Sequence, residues 1–194
     1  MLIGAISYTT AAGIFLALML ILLTGKGRGL PRHLLVLAAA ASTLWAAGTA
    51  YQAAVDAPLI IPQALELLRD LAWLMFLLHM MSVKADGKGA MSTGFTIVRH
   101  GIYAFTSVMM ALAFYRYFSG SGLSLMAGFD FQLAGHLLLA VMGLVLLEQI
   151  LRNTPPDLRR AIKYLCLGIG GMFAYDFYLY SDALLFQRID PALW

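Results

Sequence analysis

Polar residues in this chain gather into short clusters, and six mostly apolar runs lie between them: Ile3 to Leu23, His33 to Ala53, Leu59 to Val83, Phe95 to Phe118, Phe131 to Leu151 and Ala161 to Phe186. An α-helix needs roughly 20 such residues to cross a bilayer. The pattern therefore predicts an all-α fold, a polytopic transmembrane helical bundle of six spans forming one domain over residues 1–194. No basic residue precedes the first run, which is too long for a signal-peptide core and has no evident cleavage site, so it reads as a retained span.

Composition narrows the class. Of 194 residues 61% are hydrophobic and 12% charged, and the mean hydropathy is +0.82. A soluble domain carries about 25% charged residues, which sets that class aside. One cysteine, Cys166, rules out an intrachain disulfide and a cysteine metal cluster, and within an apolar turn it reads as a small packing residue. There is no phosphate loop, zinc spacing, nucleophile motif or fixed-period repeat. No metal, cofactor or nucleic-acid partner is expected, and no catalytic residue.

The net charge of +3 is a matter of topology. Lys26, Arg28 and Arg32 follow the first span, Lys84, Lys88 and Arg99 the third, and Arg152, Arg159, Arg160 and Lys163 the fifth, against Arg116 and Arg188 on the other side. The positive-inside rule makes those three loops cytoplasmic and puts the N-terminus outside. The loop from Ser119 to Asp130 turns apolar and is expected to dip into the outer interface. Thr154, Pro155, Pro156 and Asp157 form a helix-start signal, so the sixth span is expected to begin near Pro155, with Thr154 as cap. The alanines of the second span, Ala38 to Ala41, Ala46, Ala47 and Ala50, suit close packing in the middle of the bundle. Trp45, Tyr51, Tyr115, Tyr117 and Trp194 read as interfacial belt residues, and Glu148, Gln149 and Arg152 as a polar contact between the last two spans.

Candidate chemistry lies where charge interrupts hydrocarbon. An intramembrane carboxylate costs roughly 2.5 to 3.5 kcal/mol on insertion scales and usually has a partner. Gln63, Glu66, Arg69 and Asp70 interrupt the third span, and the last three can share a helix face. The sixth span carries Tyr175, Tyr178 and Asp182 on one stripe and Asp176 and Tyr180 on an adjoining one. Counting depth from opposite ends puts Gln63 and Glu66 in the outer half of the membrane, Arg69 and Asp70 near the midplane, Asp176 slightly outside it and Asp182 at the outer face. His136 on the fifth span and Tyr51 and Gln52 on the second also fall in the outer half. Glu66, Arg69, Asp70, His136, Tyr175, Asp176, Tyr178, Tyr180 and Asp182 are the candidate ligand-binding residues of an outward-facing polar cavity. Two readings of the charges stand at this point, structural ion pairing and ligand chemistry. His33, His79 and His100 fall near the inner face without the deep, facing placement that a bis-histidine haem requires.

From Glu148 to Trp194 the chain resembles a known family. The residues that carry the likeness are Glu148-Gln149, Arg152-Asn153-Thr154-Pro155, Ile162-Lys163, Cys166-Leu167-Gly168, the run from Tyr175 to Phe186 reading YDFYLYSDALLF, Asp190 and Leu193-Trp194. They resemble the membrane region of PEP-CTERM system sensor histidine kinases of the PrsK type, and the earlier spans match in number and character.

The resemblance implies a multi-pass sensor of the bacterial inner membrane. A cytoplasmic GAF-like domain and histidine kinase would follow it, a PrsR-type response regulator would be its partner, and its setting would be exosortase, PEP-CTERM sorting and exopolysaccharide regulation. A homodimer is compatible with that. These residues hold no phospho-acceptor histidine box and no ATP-binding glycine boxes, so the chain itself is not expected to be an enzyme and reads as part of a longer protein, with a kinase attached only after an odd number of further spans. The other classes considered are a small transporter or proton-coupled carrier using Arg69, Asp70 and Asp176, a haem redox protein, and a structural anchor that dimerises a kinase.

Overall fold

A computed structural model describes residues 2–24, 31–55, 60–85, 92–119, 130–154 and 156–186. They form six α-helices and, among the described residues, no strand: α1 Leu2–Thr24, α2 Arg32–Val55, α3 Ile60–Ala85, α4 Ser92–Ser119, α5 Phe131–Arg152 and α6 Pro156–Phe186. The Ser119 to Asp130 loop, apart from its two end residues, lies outside the described residues, as does Trp194.

Four helices, α1, α2, α4 and α5, are long and apolar enough to cross a membrane. The other two, α3 at 26 residues and α6 at 31, have the length but carry the charged residues. Large apolar side chains cover the outward surfaces, among them Ile14, Leu37, Ile97, Val145, Leu167 and Leu185. Water would strand so much apolar area, whereas lipid accepts it.

The centre of the bundle is α3, not the alanine-rich α2. Helix α3 packs on α2, α4 and α5, while α2 sits between α1 and α3. From Ala72 to Leu78 every residue of α3 is buried, so this stretch is enclosed on all sides. Ala38, Ala39 and Ala46 of α2 are wholly buried, and a Cβ on Gly48 would come within 2.6 Å of Leu65. Small residues here do let two backbones approach, as the composition suggested. Trp73 of α3 donates from Nε1 to Ser42 Oγ of α2 at 3.0 Å, which gives a buried indole N–H its partner.

Helix α6 is set against α5 by glycines. A Cβ at Gly143 would lie 2.5 Å from the Phe173 ring, and one at Gly170 would lie 2.8 Å from Leu147. Gly168 and Gly171 face open space instead, so the three glycines of α6 do not make one contact face. At the other side of α5, Asp130 caps the helix by accepting from the Gln132 backbone N–H at 2.9 Å, and Arg116 at the end of α4 holds Asp130 at 2.9 Å.

One local expectation is corrected, and another gains a detail. The Thr154 hydroxyl, ahead of α6, donates back to the Ile150 carbonyl of α5. The Glu148–Arg152 contact is an exposed pair within α5 at 3.3 Å, four residues apart, and does not tie α5 to α6.

Candidate functional site

Glu66, Arg69, Asp70 and Trp73 recur at helical spacing, so one face of α3 carries three charges above the start of its enclosed segment. On α6 the buried stripe is Ile169, Phe173, Asp176, Tyr180 and Ala183. On α5 it is Gln132, His136, Leu139, Ala140 and Gly143. Packing α5 on both α3 and α6 directs these stripes toward a common centre.

Arg69 occupies that centre with 1% of its surface exposed. Its Nε and Nη2 donate to Asp70 Oδ1 at 3.0 and 2.8 Å, and Nη2 also donates to Asp176 Oδ2 on α6 at 2.6 Å. Glu66 Oε1 lies 3.7 Å from the same nitrogen. The Trp45 ring of α2 covers the guanidinium at 4.1 Å, a cation–π contact that compensates part of the lost hydration. Tyr8 of α1 stands edge-on to Trp45 at 5.7 Å, within electrostatic reach of Glu66, Arg69, Asp176 and Tyr175.

A second arm runs through Tyr180. Its hydroxyl donates to Glu66 Oε1 at 2.6 Å, and its ring stacks on His136 of α5 at 4.7 Å and 12°. Helices α3 and α6 are not among the pairs whose backbones pack closely, so long polar side chains bridge them. Five helices contribute to the cluster, and α4 is the one that does not.

Three buried carboxylates face one guanidinium here. With all three ionised the cluster is two positive charges short, and each buried ion costs several kcal/mol unless compensated. Two further polar atoms on the buried stripe of α5 have no hydrogen-bond partner: Nδ1 of His136, which reaches the cluster, and Nε2 of Gln132, one turn before it beside Arg116. One oxygen from each of Glu66 and Asp70 and one ring nitrogen of His136 lie within 4.8 Å of one another, a set of donors able to hold a metal ion.

Of the nine residues singled out from sequence, Glu66, Arg69, Asp70, His136, Asp176 and Tyr180 come together, and all six are buried. Tyr175 and Tyr178 turn outward, 46% and 53% exposed, so the two stripes of α6 part company. Asp182 is half-buried, and no hydrogen bond or ion pair links it to Arg69 or its partners. Tyr51 is exposed, and Gln52 and Gln63 are half-buried.

Trp45 is a correction: it is no belt residue but the lid on Arg69. Its spacing from Ser42 and Thr49, three and four residues away on the buried polar stripe of α2, was the available signal. Tyr8 and Gln132 had no comparable mark in the sequence. Far along α3, His79 meets His33 of α2 edge to face at 6.1 Å, while His100 donates from Nδ1 to the Thr96 carbonyl within α4 at 2.7 Å.

Compared with family models, curated proteins and solved structures, the chain matches none.

Proposed function

We propose that this chain is the membrane-embedded input module of a two-component histidine kinase, with six spans in a bacterial inner membrane and the N-terminus outside. The observation that carries the reading is the Arg69–Asp176 ion pair at 2.6 Å, which joins two helices whose backbones are not closely packed. A link made of side chains has two states, made and broken, and a ligand that favours one state shifts the helices between two packings. The likeness of residues 148–194 to PrsK-type sensor kinases supports the same reading and supplies its context, PEP-CTERM sorting and exopolysaccharide control. The phosphotransfer chemistry would belong to a kinase portion and its response regulator, not to these residues.

The test is made on the full-length kinase in membranes, with transfer of phosphate to its regulator as readout. Arg69→Lys and Asp176→Asn are expected to change basal output while the protein still inserts. If both variants fold and signal as the parent does, the cluster is not the sensing element.

A second reading, a proton-coupled carrier, is favoured by one observation, the surplus of buried carboxylates over cations around Arg69. Uptake into proteoliposomes that collapses in Asp176→Asn, with kinase output unmoved, would select it.

A further inference from the structure

We infer that Glu66, Asp70 and His136 bind a divalent first-row transition-metal ion inside the bundle. The inference names a ligand for the site on which the sensory reading rests. Metal binding is read on the isolated protein, so the two can fail separately.

Four features converge on it. One donor atom from each of the three residues falls within 4.8 Å of the others, a spacing that modest side-chain rotation closes onto a single ion. His136 is 3% exposed and its Nδ1 has no hydrogen-bond partner, although buried polar groups are almost always satisfied. Hydrogen bonds occupy Oε1 of Glu66 and Oδ1 of Asp70 and none of them falls on the second oxygen of either carboxylate. Finally, a dication supplies the two positive charges that Arg69 alone leaves missing against Glu66, Asp70 and Asp176.

The donor set is informative about the ion. One imidazole and two carboxylates suit Zn²⁺, Fe²⁺ or Mn²⁺, whereas Ca²⁺ and Mg²⁺ prefer oxygen alone. The surroundings are also those of a metal site. Tyr180 holds Glu66 by its hydroxyl and His136 by its ring, and Arg69 holds Asp70, so each ligand is oriented by a neighbour before an ion arrives. Asp176 remains with Arg69 and keeps the guanidinium neutralised beside the cation.

The protein purified in detergent and stripped with chelator is titrated with Zn²⁺, and separately with Co²⁺ for its visible absorption. About one equivalent of each is expected, with Co²⁺ bands of a nitrogen–oxygen site. His136→Phe keeps a ring to stack on Tyr180 but removes the nitrogen. It is expected to lose at least tenfold in affinity and to lose the Co²⁺ bands, while eluting as a folded protein. Glu66→Gln should weaken binding similarly. The double variant His33→Ala, His79→Ala controls for the other histidine pair and should bind as the parent. Absence of saturable binding in the parent overturns the proposal, and protons would then supply the missing charge; full binding by His136→Phe overturns it as well, because the ion would then be held by other residues.

Discussion

The Arg69 guanidinium reaches the Asp176 carboxylate at 2.6 Å, across 107 residues of sequence, with 1% and 7% of the two side chains exposed. Each is a poor residue for its own helix in lipid, and each makes the other tolerable. Removing one partner of such a pair leaves the other buried and uncompensated, which typically costs about 3 to 5 kcal/mol. Arg69→Met is therefore expected to lower the thermal unfolding midpoint in detergent more than any other single change in the cluster. Asp176→Asn keeps an acceptor and reduces the surplus of negative charge, so its loss should be smaller. Equal losses for the two variants would count against this account of the charges.

Tyr180 and Glu66 offer a cleaner measurement. The hydroxyl donates to a carboxylate at 2.6 Å in a buried setting, and such bonds are worth about 1.5 to 3 kcal/mol. Tyr180→Phe leaves the stack on His136 in place and should cost that amount. Made in a Glu66→Gln background it should cost clearly less, and a double-mutant cycle measures the difference. Strict additivity would mean that the two side chains do not interact.

Trp45 covers Arg69 at 4.1 Å. Trp45→Leu keeps apolar bulk and removes the ring face, with an expected loss of about 1 to 2 kcal/mol from a desolvated cation–π contact. Trp45→Phe should recover part of it, because a smaller ring still presents its negative face. If Leu and Phe unfold at the same temperature, Trp45 contributes by filling space alone.

Glycine positions test the packing that sets the site. Gly143→Ala drives a methyl into the Phe173 ring, and Phe173 lies one turn before Asp176 on the same buried stripe. An overpacking penalty of about 1 to 3 kcal/mol is expected. Gly168→Ala and Gly171→Ala meet nothing within 4 Å and should be neutral or slightly stabilising. Thermal unfolding of the three variants side by side decides the matter.

Much of the helical architecture was readable from the chain because helix formation is local. A run of apolar residues about 20 long forms a helix in lipid whatever its neighbours do, and six such runs gave six helices whose ends fall close to the expected ones. The pairing of Arg69 with a distant carboxylate was partly legible too, since a buried charge demands compensation and depth counting brought Asp176 to a similar level.

Which stripe of α6 faces inward was not readable. Tyr175 and Asp176 are adjacent in sequence and about 100° apart around the helix, and both stripes hold polar residues. The contact of Gly143 with Phe173 and of Gly170 with Leu147 decides the rotation that buries Asp176 and Tyr180 and turns Tyr178 out. The place of Trp45 over Arg69 and of Tyr8 beside it depends likewise on α2 and α1 wrapping α3. Local sequence thus determined where helices form and where their charges lie along them, while packing between helices, a property of no single segment, decided which of those side chains meet.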